Sequence, residues 1–285
     1  MCGADKICQK LWAPCVKCLD TDRLDFALDG QDWKVSFSEP GGCFVKCCKG
    51  VYIYWRLLLL LVQVAFIIQS CVAWVDYYDG KFAWWFTQFT HWGGLLLLSY
   101  LGFAAFTAFK AKSAQQGSEI SGTPWFVSVT WALGATNPVI AFMVFGLFWA
   151  LVYSPGDTVF FESVTLHGGN VLITVLDLIT TRQPFYIQHV YMPLLFAMTY
   201  LLFTYIYYEA GGLNESGQPY IYAALDWSDT STVGNLAAMI LLVAVPISYI
   251  VFWILAALRK KCRKCLFGGA RTIEKGTQDD GTVDV

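Results

Sequence analysis

Six apolar stretches, each long enough to cross a lipid bilayer, limit the folds open to this chain. A hydrocarbon core about 30 Å thick requires about 20 helical residues. Six segments meet that length: 52–75, 86–109, 125–153, 161–180, 190–208 and 232–258. Backbone polar groups inside a bilayer must be hydrogen-bonded internally, so each segment is predicted to be a helix rather than an open strand. The predicted fold class is an all-α membrane protein, a six-transmembrane-helix bundle.

The placement of lysine and arginine predicts how the bundle is oriented. Of the 19 basic residues, only Lys81 falls in a loop on one side of the membrane. The others lie in the tails, or in loops and helix ends on the opposite side. Short basic loops resist translocation, so the basic side is predicted to be cytosolic. Both termini are therefore predicted to be cytosolic.

This topology divides the chain into three parts. Residues 1–50 form a cysteine-rich cytosolic tail, residues 51–258 form the bundle, and residues 259–285 form a basic juxtamembrane segment and a second cytosolic tail. Arg56, at the start of the first segment, is predicted to snorkel to the headgroups. The cluster at 259–264 is predicted to bind anionic lipid of the inner leaflet. Nucleic acid is not an expected partner, because the basic residues lie at membrane borders.

Nine of the ten cysteines lie in the two tails, which allows two interpretations. The favoured one is S-palmitoylation of juxtamembrane thiols, at Cys47, Cys48, Cys262 and Cys265. The alternative is a zinc site built from Cys15, Cys18, Cys43 and Cys47. Its second half has the spacing CxxxCC rather than CxxC, which matches known zinc motifs poorly. No metal and no cofactor are included in the prediction.

Two short motifs lie outside the membrane segments. Asn214-Glu215-Ser216 is an N-glycosylation acceptor, and it falls in the long loop that the charge pattern places outside the cell. The terminal Val283-Asp284-Val285 has the form of a strand that adds to a PDZ-type domain. The alternative for these three residues is a free, solvated tail.

Polar side chains within the apolar segments are the candidates for function, because ionisable groups in a bilayer are costly. The fourth segment contains Glu162, His167, Asn170 and Asp177, and the last three lie close to one helical face. Thr90, near the start of the second segment, is predicted to lie at about the depth of His167. A hydroxyl and an imidazole at one depth form a candidate nucleophile–base pair. The alternative is that these side chains only hold helices together.

Several stretches carry a family resemblance, and they are spread over residues 55–258. They are the Thr90-His91-Trp92-Gly93 entry to the second segment, His167-Gly168-Gly169-Asn170 through Leu176-Asp177, Gln183-Pro184-Phe185-Tyr186, and Tyr205-Ile206-Tyr207-Tyr208-Glu209-Ala210-Gly211-Gly212. Together with the cysteine-rich tail, these stretches resemble the rolling stone family of multi-pass membrane proteins. That family is named for a fly protein implicated in myoblast fusion. The resemblance implies a plasma-membrane role in the fusion of muscle precursors.

A second, more distant resemblance concerns chemistry. His167 lies ten residues before Asp177, and a threonine and proline turn follows at 180–184. This spacing is similar to that of the androgen-induced membrane hydrolases, which cleave fatty acid esters of hydroxy fatty acids with a threonine and a histidine. The resemblance implies Thr90 as nucleophile and His167 as base. The residues before Thr90 are aromatic as in that family, but they lack its basic residue.

Two functions are therefore predicted, and they are compatible. The first is a rolling stone-like plasma-membrane protein that supports myoblast fusion or muscle differentiation, with the endoplasmic reticulum as the alternative location. The second is an intramembrane threonine hydrolase of lipid esters. In the second, Thr90 and His167 are catalytic, Asn170 and Asp177 are supporting polar residues, and a lipid ester is the substrate.

Overall fold

The computed structural model describes residues 26, 33–41, 49–78, 82–114, 122–156 and 161–276, with side chains up to residue 260. Its first helix is the short α1, Trp33–Ser38. Six longer helices follow, each long and apolar enough to cross a membrane: α2 (Tyr52–Tyr77), α3 (Phe89–Ala114), α4 (Trp125–Val152), α5 (Phe161–Thr180), α6 (Ile187–Glu209) and α7 (Thr230–Lys260). The helical backbone of α7 continues to Gly276. For the described residues, the predicted all-helical class is confirmed, and so is the predicted number of helices long and apolar enough to cross a membrane.

Successive long helices run in opposite directions, so the bundle has two distinct ends. The basic end contains Arg56, Arg182 and Arg259, at the start of α2, after α5 and near the end of α7. The loop end contains the segment 210–229, which connects α6 to α7. Helices α3, α4 and α5 are about half buried, whereas most of α2, α6 and α7 is exposed on the bundle surface.

The exposed surface of the bundle is strongly apolar. Side chains such as Leu61, Leu202 and Leu242 are more than half exposed on α2, α6 and α7. Lipid tails are as apolar as leucine, so a membrane would cover these side chains without cost. The chain is a multi-pass membrane protein.

Part of the predicted amino-terminal tail packs against the bundle. Trp33 and Phe37 of α1 are buried against Ala111, Val127 and Trp131, at the basic end of α3 and α4. Next along the chain, the Gly41 N–H donates to Thr180 O at the end of α5, over 2.6 Å. Residues 33–41 therefore close the basic end of the bundle.

The prediction that Arg56 snorkels to the headgroups is wrong. Arg56 is 1% exposed, and its guanidinium donates to Asp177 of α5 and to Thr181. Tyr100 of α3 donates to the same carboxylate over 2.5 Å. Asp177 provides a counter-charge for the Arg56 guanidinium inside the bundle. The guanidinium therefore does not need to extend to the lipid headgroups to be solvated.

Arg259 also departs from its predicted contact with lipid. It is 7% exposed, and its two terminal nitrogens donate to Leu178 O and Gln183 O, each over 2.7 Å. These carbonyls lie at or beyond the end of α5, where a helix leaves such groups without intrahelical partners. Arg259 thus joins α7 to α5.

Three π-helical turns interrupt the long helices in the half nearer the loop end. They are Phe148–Val152 in α4, Val164–Gly169 in α5 and Ile240–Ala244 in α7. A π-turn adds a residue to the helical turn and occurs often at functional sites. Residues of all three turns line one cavity.

Candidate active site

A large cavity lies at the loop end, between α2 to α7 and the segment 210–229. Its volume is about 940 Å³. Much of the wall is apolar, including Val144, Leu147, Leu201, Ile240 and Val245. Ligand pockets typically have this character, with a few polar groups that fix the orientation of the ligand.

Thr90 and His167 meet at the wall of this cavity. Thr90 lies in the first turn of α3, and His167 lies in the π-turn of α5. The Thr90 Oγ1 atom is 3.1 Å from His167 Nε2, which is a hydrogen-bond distance. Both residues line the cavity. The structure therefore brings together the two side chains that the sequence predicted to be at one depth.

The other contacts of His167 determine its protonation state and orientation. Its Nδ1 atom is 2.7 Å from Ser163 O, one turn earlier in α5. A carbonyl oxygen only accepts, so Nδ1 carries the proton and Nε2 is left as an acceptor for the Thr90 hydroxyl. The Phe148 ring stacks on the imidazole, with the centroids 3.6 Å apart. A carbonyl and a ring thus hold His167 in place.

His91, next to Thr90 in the sequence, belongs to a separate polar cluster. Its ring stacks on Trp85 at 4.2 Å, and its two nitrogens contact Trp85 O and Ser70 Oγ. The Ser70 hydroxyl donates to Glu162 over 2.7 Å and is fully buried. Ser70 does not line the cavity, whereas Thr90 does. A ligand in the cavity can therefore approach the Thr90 hydroxyl but not the Ser70 hydroxyl. Sequence reasoning named Glu162 as a candidate but did not identify Ser70.

The two predicted supporting residues lie away from the Thr90–His167 pair. Asn170 is 2% exposed, lies outside the cavity wall, and its Oδ1 has no hydrogen-bond partner. Asp177 pairs with Arg56 at the basic end, two to three turns further along α5. Helical geometry explains the separation, since ten residues of helix span about 15 Å.

Tyr222 is a further residue of the site that sequence reasoning did not single out. It lies in the segment 210–229, and its hydroxyl accepts the Phe89 N–H at the start of α3 over 3.0 Å. The same hydroxyl interacts with Thr90 and Tyr200. The segment is fixed by Leu225, which is buried, and by Trp227, which donates to Thr204 of α6. No local motif marks Tyr222, because its position depends on how the segment folds over α3.

The predicted modification sites are only partly covered by the structure. Asn214 lies at the cavity edge, with its Oδ1 accepting from the Ser216 and Gln218 N–H groups. Cys15, Cys18, Cys43, Cys47 and Cys48 and the terminal 283–285 lie outside the described residues. The backbone at Cys262 and Cys265 is helical, but their side chains are outside the described part. Among the described residues, no group of three His, Cys, Asp or Glu side chains could hold a metal ion.

Comparison with known proteins gives one consistent result. A family model described as "Protein rolling stone" matches residues 46–274, which covers α2 to α7. "Protein rolling stone" of Drosophila melanogaster is 26% identical over 216 residues, or 72% of this chain and 75% of the fly protein. No solved structure matches the chain. The match over α2 to α7 shows that this chain belongs to the rolling stone family.

Proposed function

We propose that this protein is a membrane-embedded hydrolase of lipid esters, with Thr90 as the nucleophile and His167 as the general base. The observation that carries the proposal is the 3.1 Å contact between the Thr90 hydroxyl and His167 Nε2 at the wall of a large, mainly apolar cavity. A threonine hydroxyl is a weak nucleophile until a neighbouring base removes its proton. The orientation of His167 provides that base.

The alternative role for the pair is a hydrogen bond that only holds α3 to α5. Such bonds between helices stabilise membrane bundles by about 1 kcal/mol. A hydrogen bond that only joins two helices needs no cavity beside it. Closely packed side chains around the bond would stabilise the bundle better. The open space beside Thr90 and His167 favours chemistry instead. The backbone acceptor at Ser163 also orients the imidazole as a second side chain does in a triad.

The reaction follows from these positions. The Thr90 oxygen attacks the ester carbonyl carbon while its proton moves to His167 Nε2, and the carbonyl π electrons move to the carbonyl oxygen. Collapse of this intermediate breaks the bond to the alcohol oxygen, which takes the proton from His167. Water then attacks the acyl-threonine in the same way and releases the acid. Atoms and protons balance with water as the only co-reactant.

The walls of the cavity indicate the substrate class. Aliphatic residues on α4, α6 and α7, together with Phe148, surround the space next to Thr90. An acyl chain that enters from water gains about 0.8 kcal/mol for each CH₂ group that it buries there. The polar pair lies at one wall, where an ester bond would meet it. A fatty acid ester of a hydroxy fatty acid fits this division.

The test uses purified protein in nanodiscs, a fluorophosphonate label and p-nitrophenyl palmitate. Wild type should be labelled and should release nitrophenol, whereas Thr90→Ala and His167→Ala should each lose at least 10³-fold in kcat, on the order seen for catalytic dyads and triads. Thr199→Ala is the matched control, because Thr199 is exposed on α6 and its hydroxyl bonds only within that helix. A Thr90→Ala variant that is monodisperse and keeps full activity would overturn the proposal.

We also propose that the activity serves at the plasma membrane in the fusion of muscle precursors. Membership of the rolling stone family supports this role. Depletion of the protein from cultured myoblasts should reduce the number of multinucleate cells, and wild type should restore it. Rescue by Thr90→Ala would show that fusion does not require the hydrolase. Normal fusion after complete depletion would contradict the fusion role.

A further inference from the structure

We propose that Tyr222 is a third catalytic residue, whose hydroxyl donates a hydrogen bond to the oxyanion that forms when Thr90 attacks an ester. This inference rests on the proposed hydrolase function. It assigns to Tyr222 the stabilisation of negative charge in the transition state, which the Thr90–His167 pair does not provide. Ester hydrolysis places negative charge on the carbonyl oxygen, and stabilising that charge is usually the largest catalytic contribution.

The position of Tyr222 supports the assignment. Its hydroxyl oxygen lies 3.0 Å from the Phe89 nitrogen and interacts with Thr90, so it is adjacent to the reacting hydroxyl. Tyr222 also lines the cavity. An ester carbonyl that approaches Thr90 Oγ1 from the cavity therefore comes within reach of the Tyr222 hydroxyl.

The surrounding hydrogen bonds direct the Tyr222 proton at the reacting oxygen: the Thr90 proton points to His167, so the phenol is the donor in its contact with the Thr90 hydroxyl. The Phe89 N–H is an orphan donor at the start of α3, and it donates to the Tyr222 oxygen. Accepting this bond strengthens the hydroxyl as a donor in turn. The neighbouring Tyr200 donates its own proton to Thr87 O over 2.8 Å. Tyr222 is thus the tyrosine at this site that can donate to a substrate.

Tyr222 also remains protonated under physiological conditions. Burial raises the pKa of Tyr222 to about 12. The phenol is therefore neutral at pH 7 and does not repel an oxyanion. A neutral phenol is a known type of oxyanion-hole donor.

During the reaction, the Thr90 proton moves to His167 and the carbonyl electron pair moves to the carbonyl oxygen. Tyr222 donates a hydrogen bond to that oxygen and keeps its proton throughout. When the intermediate collapses, the electron pair returns to the carbonyl and the alcohol leaves with the proton from His167. Tyr222 thus lowers the barrier of both acylation and deacylation without changing the balance of protons.

The experiment compares Tyr222→Phe with Tyr207→Phe in nanodiscs, using p-nitrophenyl palmitate. Tyr222→Phe keeps the ring and removes only the hydroxyl, so kcat should fall about 10²- to 10³-fold while KM changes little. Tyr207 is the matched control, because its hydroxyl holds the same segment through Leu213 O over 2.8 Å but lies outside the cavity wall. Tyr207→Phe should retain wild-type kcat.

Two inhibitors separate catalysis from structure. A long-chain phosphonate, which mimics the charged intermediate, should bind Tyr222→Phe less tightly by about the factor lost in kcat/KM. A palmityl ether, which lacks the carbonyl, should bind both forms equally. Unchanged kcat in Tyr222→Phe, or equal weakening of phosphonate and ether binding, would overturn the assignment. If wild type itself neither hydrolyses esters nor reacts with fluorophosphonate, the hydrolase and this assignment both fail.

Discussion

Arg56 and Asp177 form a charged pair that the bundle encloses at its basic end. Arg56 is 1% exposed and Asp177 is 2% exposed. Tyr100 donates to the carboxylate, and the Tyr52 hydroxyl accepts from the guanidinium over 2.6 Å. Every charged atom thus has a partner, which is the condition for keeping such a pair out of water. The pair connects α2 to α5.

Removal of one partner should destabilise the protein far more than removal of both. Arg56→Met leaves the Asp177 carboxylate buried without a counter-charge, which should lower the free energy of unfolding by about 3–5 kcal/mol. The double variant with Asp177→Leu should be clearly more stable than Arg56→Met. Thermal denaturation followed by fluorescence-detected gel filtration measures both.

The matched control is Lys110→Ala, because Lys110 is an exposed cation near the basic end of α3. Surface changes of this kind stay within about 0.5 kcal/mol. A stability loss in Arg56→Met no larger than that of Lys110→Ala would show that the pair is solvated.

At the level of the helix, the π-turn of α5 contains two adjacent glycines in different surroundings. A Cβ added at Gly168 meets nothing within 4 Å. A Cβ at Gly169 would lie 2.7 Å from Cε2 of Phe66 on α2. The backbone at Gly169 is ordinary right-handed helix. The two glycines therefore differ in the room available for an added methyl group, and not in backbone conformation.

Alanine at these two positions should have opposite effects. Gly168→Ala should be neutral or stabilise the helix by up to about 1 kcal/mol, because alanine is the better helix former. Gly169→Ala should destabilise by about 1–3 kcal/mol, because Phe66 must move. The melting temperatures of the two purified variants give the comparison. Equal melting temperatures would show that α2 does not pack closely against α5 at this level.

For the molecule as a whole, the charge distribution predicts the orientation in the membrane. We propose that the basic end faces the cytosol and the loop end faces outward, because basic loops resist translocation. Protease added to intact cells should cut an epitope tag inserted beside Gly217, which is exposed, and should spare tags at either terminus. Glycosidase should reduce the mass of wild type but not of Asn214→Gln. A protected tag at Gly217 would reverse the topology.

The same orientation places Cys47, Cys48, Cys262 and Cys265 where cytosolic acyltransferases act. We expect acyl-exchange labelling to detect thioesters at one or more of these cysteines. Acylation would strengthen the binding to the membrane that the nearby basic residues provide through anionic lipid. Cys71 is the internal control, since it lies in α2 towards the loop end and should carry no acyl group. Labelling that is unchanged when all four are replaced by serine would contradict the prediction.

Much of the architecture follows from the sequence. Apolar length and charge placement predicted six spans, and the predicted segment 161–180 coincides with α5. These properties are local, and a bilayer imposes a fixed length on each helix. The same local reasoning pairs Thr90 with His167. The helical rise converts the number of residues from the membrane border into a depth, and the two depths are similar. Similar depth is compatible with a contact between the two side chains, but it does not establish one.

Contacts between helices were decided only by the tertiary structure. The sequence gives no rotation of α3 about its axis, so it does not show that Thr90 contacts His167 whereas His91 contacts Ser70 and Trp85. It does not pair Arg56 with Asp177, 121 residues away. Nor does it place Tyr222 against α3. These partners depend on side-chain packing between segments far apart in the chain, which neither hydropathy nor helical period encodes.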